Sequence, residues 1–330
     1  MARRLPLLLH FISQYPKDES IGWVYAQLRK IHIEQNLLDK AIETGEKLLL
    51  LDADDVETIH ENLKLAETLK NPALVKTWAA RTEAVSLRLA ASEKPADLKA
   101  AELWSTRVDL ARQLLAYTDY LAYSEALQTP DLKRRLVLLD EFLAQRPKSQ
   151  YRLQAETHVF YGHQQAGDTA KALAWAEKFV KRDPSNEDML LLVAEHLFQK
   201  EQDPDRVMQY AGKVLDLAAT KAKPEGLADA DWNKRKTQLT GRANWLVGRI
   251  SMDQGKFYQA DRALRAALPT LKSSDSLTAT ALFFLGWANY KVGNFPDAIR
   301  FNQQCLDMRG PYHEMAAKNL SAIQAERAAR

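Results

Sequence analysis

The chain of 330 residues carries 46 basic and 43 acidic side chains, a net charge of +3, and is 46% hydrophobic and 27% charged. That composition buries a sizeable core and excludes a disordered polymer, while its charge balance argues against a nucleic-acid partner. The single Cys305 excludes an intrachain disulfide framework, and no run of about 18 apolar residues is present to span a membrane. Gly and Pro are scarce, at 12 each. Ala, Leu, Lys, Glu, Gln and Arg, which lose little rotamer freedom in a helix, predominate, so the chain reads as helical.

The start, "MARRLPLLLHFI", has the basic head and short apolar run of a signal peptide. Pro6 and His10 interrupt it, and no small-residue cleavage site follows. The compartment, cytoplasmic or periplasmic, stays open. In rhythm "LPLLLHFISQYPKDES" matches "RLVLLDEFLAQRPKSQ" further along: apolar run, aromatic, then Pro, Lys and a small polar residue. Residues 1–20 are therefore expected to form the second helix of a pair whose first helix is missing, as in a fragment or a chain begun downstream of its natural start.

Helix pairs are expected to begin near Ile21, Val56, Ala96, Arg152, Asp188, Thr240 and Thr278. The clearest is "LFFLGWANYKVGNFPDAIRFNQQCLDMRGP", Leu282 to Pro311, in which Gly293 follows Gly286 by seven residues and Ala298 follows by five more. The preceding pair repeats these steps with Gly248, Gly255 and Ala260. Upstream, Gly167, Ala172 and Pro184 stand at the same relative offsets, and fainter copies lie around Ala41, in "NPALVKTWAARTEA" and in "DPDRVMQYAGKVLDL". Small residues at such points let paired helices approach closely.

Two stretches depart from the pattern. Ala96 to Gln128 contains no Gly or Pro and has apolar residues at steps of three and four, which predicts one helix of about 30 residues. "KPEGLADADW", Lys223 to Trp232, breaks the helix at Pro224 and Gly226 and is expected to restart it with Asp229 as N-cap and Asp231 in the first turn.

The spacing resembles the tetratricopeptide repeat (TPR), a 34-residue helix–turn–helix. The copies are imperfect: Leu282 stands at the Trp position and Asn289 at the Tyr position of the last one. The resemblance covers nearly the whole chain. It implies an all-α, right-handed superhelical TPR solenoid of about seven helix pairs. The expected boundaries are a half-repeat over 1–20, repeats over 21–95, an irregular repeat over 96–151, repeats over 152–219, a connector over 220–239, repeats over 240–310 and a solvating cap helix over 311–330. Met315, Leu320 and Ile323 are the cap's apolar positions.

Active-site chemistry is missing. No phosphate-binding glycine loop occurs, His158 and His163 are five apart and share no helix face, and Cys305 reads as a packed thiol. No enzyme activity, cofactor or metal is expected. In the TPR family, ligands lie against the first helices of successive repeats. By resemblance the lining residues here are Tyr161, His196, Arg242, Trp245, Arg249, Phe283, Phe284, Trp287 and Tyr290, with Tyr117, Tyr120 and Ser124 offered by the irregular repeat. Phe283 and Phe284 point about 100° apart on a helix, so one of the two is expected in the core. The lysine–asparagine–arginine carboxylate clamp of chaperone-tail binders is not matched: Trp245, Arg249 and Phe284 occupy its positions late in the chain, and Ala26 and Lys30 early. The basic run "NKRKTQLTGR" reads as a solvated face.

The sequence therefore implies a non-catalytic scaffold that binds a peptide or partner segment in the groove. Self-assembly through exposed solenoid ends into a homo-oligomer, or a regulatory region of a larger protein, are the alternatives.

Overall fold

The computed structural model describes residues 4–272, 274–308 and 310–328. Among them are sixteen α-helices and no strand. The chain divides into two compact units with the boundary between Val159 and Phe160.

The N-terminal unit holds α1 (Arg4–Gln14), α2 (Ile21–Glu34), α3 (Leu38–Leu49), α4 (Val56–Thr68), α5 (Pro72–Ala91), α6 (Leu98–Gln128), α7 (Leu132–Gln145) and the start of α8 (Arg152–Gln165). Its core gathers Ile59, Leu63, Trp78, Val108 and Leu114. The 31-residue α6 matches the long helix expected there. The C-terminal unit holds the rest of α8, then α9 (Thr169–Arg182), α10 (Glu187–Gln199), α11 (Pro204–Thr220), α12 (Asp229–Asp253), α13 (Phe257–Leu271), α14 (Asp275–Lys291), α15 (Phe295–Leu306) and α16 (His313–Ala328).

One local device recurs in both units. At the turns α2–α3, α4–α5, α8–α9, α10–α11, α12–α13 and α14–α15, the residue closing the first helix adopts positive φ: Asn36, Lys70, Gly167, Glu201, Gly255 and Gly293, with Asp203, the N-cap of α11, a second at α10–α11. At each, the next amide bonds back five residues, as in Asn294 N–H to Asn289 C=O at 2.9 Å and Gln202 N–H to Leu197 C=O at 2.9 Å. This is the Schellman ending, which satisfies helix-end carbonyls and reverses the chain. Glycine reaches that conformation without steric cost; Asn36, Lys70 and Glu201 do not. The α6–α7 turn, through Thr129 and Pro130, lacks it.

The small residues sit where hairpins close tightly. A Cβ on Gly286 would stand 2.4 Å from Asn302 Nδ2, and one on Gly248 would stand 2.6 Å from Leu264 Cγ. Ala172, Ala260 and Ala298 are fully buried. These repeated hairpins make the fold TPR-like.

Between α11 and α12 the non-helical link spans 221–228, and α12 starts at Asp229, where the helix was expected to restart, so the rest of the 220–239 segment is the N-terminal extension of α12. Ala228, not Asp229, is the N-cap residue, and Asp229 accepts a hydrogen bond from Lys223 Nζ at 2.6 Å. Gly226 takes a φ of +78° and Trp232 is buried.

Candidate functional site: the face of α12 and α14

Four of the expected residues meet across two neighbouring first helices of the C-terminal unit. Trp245, half-buried, packs against the core of Ala267, Leu271 and Ala281, and Arg249 lays its guanidinium carbon 3.7 Å from the centroid of the Phe284 ring. Burial pulls the Arg249 guanidinium below its ordinary pKa, against the opposing influence of Asp253 and Tyr312. Its Nη1 is buried and has no hydrogen-bond partner. Phe284 and Trp287 are half-buried on the same helix.

Phe283 corrects the groove expectation: it is 1% exposed and belongs to the core. The Tyr312 ring stacks on it at 4.6 Å and 9°, while Phe284 and Trp287 meet it edge-on at 5.3 and 5.6 Å. Phe283 is thus the buttress behind the two outer rings.

Tyr290 donates a hydrogen bond to Glu326 of α16 at 3.0 Å, so it is engaged by the C-terminal helix. That helix anchors through Ala316, Leu320 and Ile323; Met315, expected among the anchors, is 43% exposed because Ala316 takes the inward position.

Tyr161, His196 and Arg242 lie outside this cluster. Tyr161 donates to Asp188 Oδ2 at 2.5 Å, and burial together with that carboxylate pushes its hydroxyl up to about 12. Arg242 forms a fork on Glu195 of α10, with Nε and Nη2 at 2.8 and 2.5 Å. His196 is half-buried on α10. Sequence reasoning missed the partners that tie α12 and the end of α11 to α10: Arg235 of α12 reaches Glu187 at 3.2 Å and Asp188 at 2.7 Å, and Lys221, just after α11, reaches Glu187 at 2.6 Å. The basic run is therefore not simply a solvated face, since Arg235 and Arg242, seven residues apart on one side of α12, both pair with α10 acids.

A second feature was not anticipated. In the N-terminal unit a cleft of about 1190 Å³ opens among the end of α4, α5, α6 and α7. Tyr120 and Ser124 line it, whereas Tyr117 turns to Glu67, donating at 2.5 Å. The available signal was the small-residue run Ala79–Ala80, which lines the cleft, together with the overlong α6.

Elsewhere the thiol of Cys305 is fully buried, donates to the Ala279 carbonyl at 3.3 Å, and is pushed up in pKa by burial. No group of three or more His, Cys, Asp or Glu that could hold a metal occurs among the described residues, and no described helix is long and apolar enough to cross a membrane.

No family model and no curated protein matches the sequence. Among solved structures, similarity is found to TTC0263, a thermophilic TPR protein of Thermus thermophilus. Identity is 14%, the match covers 63% of this chain and 99% of that one, and the TM-score is 0.27. The P58(IPK) TPR domain is similar at 14% identity over 92% and 97%, TM-score 0.29. A chain in the structure of Naa15/Naa10 bound to HypK-THB is similar at 11% identity over 92% and 39%, TM-score 0.34. These scores carry no argument about shape or role; the fold rests on the hairpins themselves.

Proposed function

We propose that the chain is a non-catalytic protein-interaction scaffold. A peptide or extended partner segment lies along the face built by Trp245, Arg249, Phe284 and Trp287. The observation that supports this reading is the Arg249 guanidinium: depressed in pKa by burial, stacked on one ring, and with one nitrogen lacking an acceptor. A half-buried cation whose nearest carboxylate, Asp253, forms no ion pair with it among the described residues bears a desolvation cost, which a ligand carboxylate or carbonyl reaching the guanidinium would offset. The flanking rings are rigid, so they cover ligand surface at low entropy cost, as binding hot spots do.

The test is an affinity pull-down with wild type and with Phe284→Ala plus Trp287→Ala, both shown to melt alike. A partner lost by the double variant supports the reading; a partner retained equally by both sinks it.

A second reading, self-assembly, is favoured by α1. It has no buried residue, leaves Leu7 68% and Leu9 50% exposed, and forms with Trp23 of α2 a cleft of about 480 Å³. A monomer by light scattering at micromolar concentration counts against it.

A further inference from the structure

The cleft of the N-terminal unit has no part in the reading above. It exists because α5 and α7 both pack on the long α6. Arg146, at the C-terminal end of α7, closes one end of the space by pairing with Glu83 of α5 at 2.5 Å and Asp119 of α6 at 3.2 Å. A guanidinium held from both sides fixes the walls before any ligand arrives, which lowers the ordering cost of binding.

The apolar lining includes Ala79, Leu121, Ala122, Leu138 and Phe142. With Glu67 engaged by Tyr117 and Glu83 by Arg146, the exposed rim charges left unpaired are of opposite sign on the two sides. Lys70 and Lys76 stand on the α5 side and Glu125 and Glu141 on the α6–α7 side, all four exposed. None of the four enters an ion pair among the described residues. An α-helix about 10 Å across with a rise of 1.5 Å fills on the order of 120 Å³ per residue. The 1190 Å³ of the cleft therefore matches about ten residues of helix.

We infer that this cleft docks one amphipathic helix of a partner protein. Its apolar face lies on Ala79, Leu121 and Ala122. Acidic side chains along one edge meet Lys70 and Lys76, and basic ones along the other meet Glu125 and Glu141. The opposed rims select a helix with edges of opposite sign, because a helix with like-charged edges faces repulsion on one side whichever way it lies.

The experiment uses the full chain and three fluorescein-labelled, side-chain-stapled helical peptides sharing one apolar face. One carries Glu on one edge and Lys on the other; the second carries Glu on both; the third carries Lys on both. Fluorescence anisotropy should give the mixed-edge peptide about tenfold tighter binding than either control, the size expected of a few exposed ion pairs. Lys70→Glu plus Lys76→Glu should turn the preference to the all-Lys peptide by a similar factor, and Ala122→Trp, which adds bulk to that lining, should abolish binding. The variants' melting curves are compared with wild type, and the reversal of preference is a readout that unfolding cannot produce. Equal binding of all three peptides, no binding of the mixed-edge peptide at millimolar concentration, or an unchanged order in the double variant overturns the site. Equally tight binding of a proline-interrupted mixed-edge peptide overturns the helical nature of its occupant.

Discussion

Arg249 on α12 and Phe284 on α14 form a cation–ring contact of 3.7 Å that crosses from one hairpin to the next. Each residue is thereby held by the other. A double-mutant cycle with Arg249→Met and Phe284→Leu, read by urea unfolding, should give a coupling energy of about 0.5–1 kcal/mol. Additive losses would mean that the contact contributes nothing beyond area.

Glycine at two helical positions should respond oppositely to alanine. At Gly248 a Cβ would meet Leu264 Cγ at 2.6 Å and the Leu264 backbone nitrogen at 3.3 Å. Gly248→Ala should therefore destabilise by about 1–3 kcal/mol. At Gly212, inside α11, a Cβ meets nothing within 4 Å. Gly212→Ala should stabilise by about 0.5–1 kcal/mol, since glycine is costly in a helix interior. The two denaturation midpoints must move in opposite directions.

Glu201 turns the chain after α10 with a φ of 54°, where three other hairpins use glycine. Its side chain gains nothing evident from that conformation. Glu201→Gly should raise stability by about 0.5–1 kcal/mol. A drop in the urea midpoint would show that the side chain has a role beyond the turn.

Glu187 sets an acid limit on the C-terminal unit. Burial works to raise its pKa, but Lys221 and Arg235 outweigh it and hold the carboxyl below its ordinary range. A depressed folded pKa means that the stabilisation is fully present above the ordinary carboxylate range and is lost as pH falls through the lower folded value. Glu187→Gln should cost stability at neutral pH and flatten the acid side of a stability–pH curve. An unchanged slope below the ordinary carboxylate range would sink this assignment.

Much of this architecture was legible because glycine and alanine report backbone proximity through their own chemistry. Gly248, Gly286, Ala260 and Ala298 mark close approaches, and Gly167, Gly255 and Gly293 mark turns. Asn36, Lys70 and Glu201 make the same turn without a compositional signal, so those hairpins read as fainter copies. The pair Phe283–Phe284 shows a second limit. Periodicity says that they point apart, but that Phe283 is the covered one follows from the core it joins, since Tyr312, from beyond the last hairpin, meets both rings. The N-terminal cleft was not legible, because it depends on how far α6 separates α5 from α7. Arg146, Glu83 and Asp119, which close it, are distant in sequence. The Asp229 cap failed more locally: Lys223 offers its carboxylate a stronger partner than a helix amide.

The connector at 221–228 has a further consequence. On one side Lys221 is held by Glu187, and on the other Arg235 is held by Glu187 and Asp188, so both flanks grip the start of α10 independently of the loop between them. The chain around Pro224 and Gly226 is exposed. A break there creates two new ends that each stay moored, making this the place to splice in a reporter or a second domain without disturbing either neighbour.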